Sequence, residues 1–110
     1  MALNLSRINN VKYYSSNRIA SLIGNGILTF VDANTKLNDF FSDNEVVFYK
    51  NIKDLSEKIN FYKENKNKRN RIAKNGKIKY FRLFNNKIIS DYICSRLFES
   101  KPKQYLSWMK

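Results

Sequence analysis

Histidine does not occur anywhere in this sequence. That absence removes the Ser-His-Asp triad, the Cys-His dyad, histidine acid–base chemistry and the common histidine metal sites from what the chain itself can supply. Cysteine is represented by Cys94 alone, so no disulfide framework and no cysteine zinc site is expected, and no metal or organic cofactor. There are 3 glycines and 1 proline. Gly24-Asn25-Gly26 lacks the rest of a dinucleotide-binding fingerprint and follows a helical pattern, so it reads as a turn. Long apolar runs are missing too. The longest uncharged stretch, Ile19 to Val31, is short and broken by Gly24, Asn25 and Gly26, which argues against a membrane-spanning helix. Met1 to Arg7 lacks the basic segment and apolar run of a signal peptide, so a cytoplasmic setting is expected.

Acidic side chains are scarce, 9 against 21 basic ones, giving a net charge of +12. The imbalance is confined to one half: residues 1–50 carry five basic and four acidic groups, residues 51–110 sixteen and five. From Lys66 to Lys87 nine cations follow one another with no acid between Glu64 and Asp91. Such a stripe fits the phosphates of a nucleic acid or, as peripheral membrane contact, an anionic lipid surface. The plainer reading is the solvated face of a helix in a composition rich in lysine and asparagine, the latter present sixteen times.

What is present is enough for a core. In 110 residues, 43% hydrophobic and 15% aromatic side chains describe one domain or part of one. Ala2–Ser6 alternates apolar and polar residues like a short strand. Ser15, Ser16 and Asn17 are good helix N-caps before Ile19, Ala20, Leu22 and Ile23 at helical spacing. Ile27–Val31, ending at Asp32, and Val46–Tyr49 read as strands buried on both faces, with a helical turn at Thr35–Phe41 between them. A helix from Asp54, a polar hinge at Glu64–Asn67, a helix with Ile72, Ala73, Gly76, Tyr80, Leu83 and Phe84 inward, and a helix over Ile88–Phe98 follow. Cys94 is expected as a small core residue. Beyond Pro102, Trp108 is either a docking anchor or a stranded residue. The alternation predicts an α/β fold: a partial Rossmann-like domain over residues 1–98, with a short parallel sheet of about three strands, helices on both faces, a helical C-terminus, and a tail over 99–110.

In such sheets ligands bind beyond the carboxyl ends of the strands. The loop after the first strand, with Arg7, leads to Ser15, Ser16, Asn17 and Arg18 at a helix N-terminus, where hydroxyls, amides and guanidinium groups suit a phosphate. Simple N-capping with an exposed Arg18 is the alternative. Asp32, after the central strand, reads as a cap. The acidic cluster of Asp39, Asp43 and Glu45 reads as surface capping.

Three stretches together resemble the C-terminal half of group 1 glycosyltransferases, especially the spore-protein CgeB/YkvP-like branch. They are Ser16–Asp32, Asp43–Lys50 with Asp54–Ile59, and Lys68–Lys77; the resemblance runs over about Asn4 to Phe98. It implies half of a GT-B type enzyme, in which two Rossmann-like domains face a cleft and the C-terminal one holds a nucleotide-sugar donor. By the same resemblance Tyr14, Ser15, Ser16, Asn17 and Arg18 fall where the donor diphosphate and sugar lie. Ser21 stands at a position that is usually a ribose-binding Glu, and Tyr13 where a paired Glu often stands. A complete enzyme of this type needs roughly 300 residues, so the chain is expected to be incomplete for catalysis alone. Its catalytic residues are unassigned, and an N-terminal Rossmann domain or separate subunit is its expected partner. Two other functions compete: a non-catalytic interaction module, and a basic nucleic-acid-binding module using the 66–87 helix. The second is disfavoured, since the aromatics fall on the apolar helix face and few are free to stack on bases.

Overall fold

The computed structural model describes residues 1–5 and 11–109. Three parallel strands, β1 (Ala2–Asn4), β2 (Thr29–Asp32) and β3 (Val47–Tyr49), lie side by side in that order. Leu3 pairs with Phe30 and Phe30 with Val47; Asn4 pairs with Val31 and Val31 with Phe48. Helix α1 (Asn17–Gly24) connects β1 to β2, and two 3-10 turns, Ala33–Thr35 and Leu37–Asp39, follow β2. Helices α2 (Ile52–Glu64), α3 (Lys66–Phe84) and α4 (Asn86–Leu97) complete the chain. This is the expected partial Rossmann-like α/β arrangement.

Side chains alternate across a strand, so each strand serves two layers. Val31 and Phe48 point to one face and pack with Ile19 and Ile23 of α1. Phe30 and Val47 point to the other, where Ile72 and Ala73 cover them and Leu55, Ile59 and Tyr62 of α2 close the edge. Burial on both faces is why β2 and β3 show no polar alternation. Helix α3 serves both layers: its first half covers Phe30, while Tyr80 and Phe84 reach the α1 side. It passes the N-terminal end of β3 at Gly76, where a Cβ would collide with the Glu45 carbonyl oxygen. Its cations Lys66, Lys68, Arg71, Lys74, Lys77 and Arg82 are exposed, while Ile72, Ala73, Gly76 and Leu83 are buried. As far as Arg82 the basic run is thus the outer face of a packing helix; the expected 66–87 helix breaks at Asn85, which caps α4, so Lys87 falls on α4.

Element ends differ from the sequence reading for identifiable reasons. β1 stops at Asn4 rather than Ser6, and β2 starts at Thr29, leaving Ile27 exposed. α2 begins two residues before Asp54 because Asn51 Oδ1 accepts from the Asp54 N–H. The helical turn expected over Thr35–Phe41 is two 3-10 turns separated by Lys36, whose φ of 58° is left-handed. The hinge at Glu64–Asn67 contracts to Asn65, whose Nδ2 donates to the Phe61 carbonyl. Asn25 and Asn85 donate in the same way to Ser21 and Phe81, so helix ends consume part of the abundant asparagine. Cys94 is a correction: it is exposed, not in the core, because α4 buries Ser95 instead. Trp108 docks, its Nε1–H donating to the Leu83 carbonyl at 3.0 Å, and Met109 beside it is buried. Among the described residues no helix is long and apolar enough to cross a membrane.

Candidate functional site

The carboxyl ends of β1 and β2 gather the segments that sequence analysis singled out. Asn4, the last residue of β1, is 1% exposed, and its Oδ1 accepts from Ser16 Oγ at 3.0 Å. A buried amide needs such a partner. Ser16 occupies the N-cap position of α1, yet its hydroxyl caps nothing; it fastens the helix start to the strand end. Arg18 adds a second tie, an Nη2 donor to the Leu5 carbonyl at 3.2 Å.

The loop after β1 is also tied to the segment after β2. Tyr13 has a left-handed φ of 63°, a strained position for a side chain of its size. Its N–H donates to the Thr35 carbonyl at 2.9 Å and its hydroxyl to Asp39 Oδ2 at 2.6 Å, while its ring meets Phe40 at 4.9 Å. Lys12 stands 3.7 Å from the same carboxylate; its ammonium pKa is raised by the Tyr13 hydroxyl and by Asp39. These contacts hold Tyr13 in its strained conformation.

Of the expected donor-binding residues, Arg7 lies outside the described residues. Tyr14 and Ser16 are half-buried, and Ser15, Asn17 and Arg18 are exposed, all at the carboxyl end of β1. Ser21 is exposed one turn further along α1, and its hydroxyl donates to the Asn17 carbonyl at 3.3 Å. Asp32 behaves as a cap, its Oδ1 accepting from the Asn34 N–H. Glu45 accepts from the N–H and hydroxyl of Ser42, as surface capping predicts.

A cavity of about 400 Å³ opens beside Ser15, and sequence reasoning missed it. Tyr13, Ser15 and Ile19 form one wall, and Leu37, Phe40 and Phe41 another. Tyr80 and Phe84 of α3, with Ile89, Ser107 and Trp108, close it. Phe84 is the hub of its aromatic wall: Phe40 meets it edge-on at 6.2 Å, Tyr80 lies tilted at 5.5 Å and Trp108 stacks on it at 5.7 Å. Burial raises the phenol pKa of Tyr80 above its usual value. The Phe40-Phe41 pair and the four-residue spacing of Tyr80 and Phe84 were visible in the sequence. Their convergence with a tail residue was not.

A family model described as glycosyl transferase-like matches residues 1–95, from β1 to within two residues of the end of α4. No curated protein and no solved structure matches the chain significantly. A match over most of the chain, on a parallel sheet with its helix start and loops at the carboxyl edge, settles the relationship: the chain belongs to the glycosyl transferase-like family.

Proposed function

We propose that this chain is the donor-binding segment of a glycosyltransferase that uses a nucleotide sugar, of the CgeB/YkvP-like branch and of GT-B type. The observation that carries the reading is the fastening of the α1 N-terminus to the end of β1 through Ser16 and Asn4. It sets free backbone N–H groups and the positive end of a helix dipole at the carboxyl edge of the sheet, the usual place for a phosphate-bearing ligand. In this reading Arg7, Asn17 and Arg18 meet the diphosphate, Tyr14 and Ser15 the sugar side, and Ser21 a ribose hydroxyl. The Ser16 hydroxyl is already engaged by Asn4, so it positions the helix rather than the ligand.

Catalysis requires a second Rossmann-like domain, in the same protein or a separate subunit. Helix α4 supports this part of the reading: Ile89, Ile93 and Leu97 recur every fourth residue on it, exposed by 37%, 51% and 72%, with Phe98 beyond them at 78%. An apolar stripe of this kind suits a partner surface. An exposed free Cys94 agrees with a reducing, cytoplasmic setting. The test is a titration of the folded chain with a panel of nucleotide sugars, read by calorimetry and by backbone amide shifts of Asn17 to Ser21. Saturable shifts there support the proposal; no heat and no shifts with any donor refute it.

A further inference from the structure

The cavity beside Ser15 differs in chemistry from the helix start next to it. None of its eleven lining residues carries a charge, in a chain whose net charge is +12. A diphosphate placed inside would lose its hydration without meeting a cation. A nucleobase fits poorly for a related reason. Its ring nitrogens and carbonyls need several directional partners, and the lining side chains offer hydroxyl groups only, with no carboxylate, amide or guanidinium group. What the walls do offer is ring surface, from Phe40, Phe41, Phe84 and Trp108, and four hydroxyl-bearing or indole-flanking neighbours, Tyr13, Ser15, Tyr80 and Ser107. Tyr80 makes no side-chain hydrogen bond to another described residue, whereas Tyr13 is engaged with Asp39 and the Trp108 N–H with Leu83. At about 400 Å³ the space lies in the range of small-molecule sites.

We infer that this cavity binds the neutral aromatic ring of a hydroxyl-bearing acceptor, a phenol-like group, with Phe84 and Trp108 against the ring and Tyr80 within reach of its hydroxyl. The inference rests on the proposed glycosyl transfer for the word acceptor; the ring-binding chemistry stands on the lining alone. It gives this chain a share in acceptor recognition, beside the donor segment at α1. The rings of the acceptor and the protein meet in offset or edge-on pairs, which favour an aromatic ring over its saturated counterpart by about threefold to tenfold.

Trp108 is the single tryptophan, so its indole N–H gives one unambiguous resonance in the labelled full chain. The probes are p-cresol, its saturated counterpart 4-methylcyclohexanol, the anion 4-methylbenzoate and uridine. A saturable shift of the Trp108 indole with p-cresol, weaker by about threefold or more with the other three, is the expected result. Tyr80→Phe keeps the ring and removes the hydroxyl, and should weaken p-cresol by about threefold to tenfold. Ser107→Phe, at an exposed position, should fill the cavity and abolish the response while the remaining spectrum stays dispersed. No response to p-cresol, or equal binding of 4-methylcyclohexanol or 4-methylbenzoate, overturns the inference. Uridine binding at Trp108 as tightly as p-cresol makes the cavity a nucleotide site and overturns it as well. Nucleotide-sugar shifts at Asn17 to Ser21 with no Trp108 response to p-cresol leave the donor reading intact and this inference refuted. Binding of p-cresol with no response to any nucleotide sugar overturns the acceptor role.

Discussion

Gly76→Ala opposes two effects whose signs are known. Alanine is favoured over glycine inside a helix by about 1 kcal/mol, so propensity alone predicts a more stable protein. At this position the added Cβ collides with the Glu45 carbonyl oxygen, and it also lies 3.3 Å from the Glu45 carbonyl carbon and 3.4 Å from Ile23 Cγ2. Two of these three atoms are backbone, directly before β3, and cannot rotate away. Helix α3 must therefore shift outward, loosening the packing of Ile72 and Ala73 on Phe30. Overpacking of a tight site costs about 1–3 kcal/mol; here the obstruction is rigid, so the upper end applies and a net loss of about 2 kcal/mol is expected after the propensity gain. For a chain of this size each kcal/mol lowers Tm by about 4–8 °C. Gly24→Ala is the control: it is also helical, and the nearest atom to its added Cβ is Phe81 Cζ at 4.0 Å. It should be neutral or slightly stabilising, within about 0.5 kcal/mol. Thermal unfolding followed by circular dichroism compares the two. The same shift would move Tyr80 and Phe84, one and two turns along α3, and change Trp108 emission in Gly76→Ala alone. A Gly76→Ala protein as stable as the parent would refute the close crossing of α3 over the Glu45 backbone.

Ser16→Ala should cost about 1–3 kcal/mol by leaving the buried Asn4 amide oxygen without its donor. Ser15→Ala, at an exposed position, should change urea stability by less than about 0.5 kcal/mol. The Asp54 carboxyl is held below its usual 3.8 by the Lys50 N–H and then by Lys58. A depressed folded-state value contributes stability above the unfolded pKa and loses it as pH falls through the folded one. Asp54→Asn should therefore lower the urea midpoint at neutral pH, with the difference from the parent closing below about pH 4. Trp108→Phe keeps a ring against Phe84 but removes the hydrogen bond to Leu83, for an expected loss of about 1 kcal/mol. Limited proteolysis should then release the tail faster; an unchanged cleavage rate would deny Trp108 its anchoring role.

Local signals carried much of the fold into the sequence. The apolar runs at Ile27–Val31 and Val46–Tyr49 and the helical spacing of Ile19 with Ile23 depend on neighbours along the chain. The same holds for the α3 face of Ile72, Ala73, Gly76 and Leu83, all buried as read. Boundaries shifted where a side chain chose its partner from a short menu. Asn51 starts α2 early, and Ser16, read as a cap, is drawn instead to Asn4. Cys94 went wrong because α4 is weakly amphipathic, and its neighbour Ser95 faces in, donating to the Tyr92 carbonyl.

By itself the sequence determined the alternation of strands and helices, the absence of histidine chemistry and the location of most of the basic run on one helix. Those properties follow from composition and from periods of two and 3.6 residues, which neighbouring side chains express without reference to the rest of the molecule. Only the tertiary structure decided that Tyr13, Phe40, Phe84 and Trp108, spread over 95 positions, enclose one uncharged cavity beside the α1 N-terminus. The strand order, the left-handed turn at Tyr13 and the return of the tail onto Leu83 bring them together. Each is a contact between distant segments, and no local period records it.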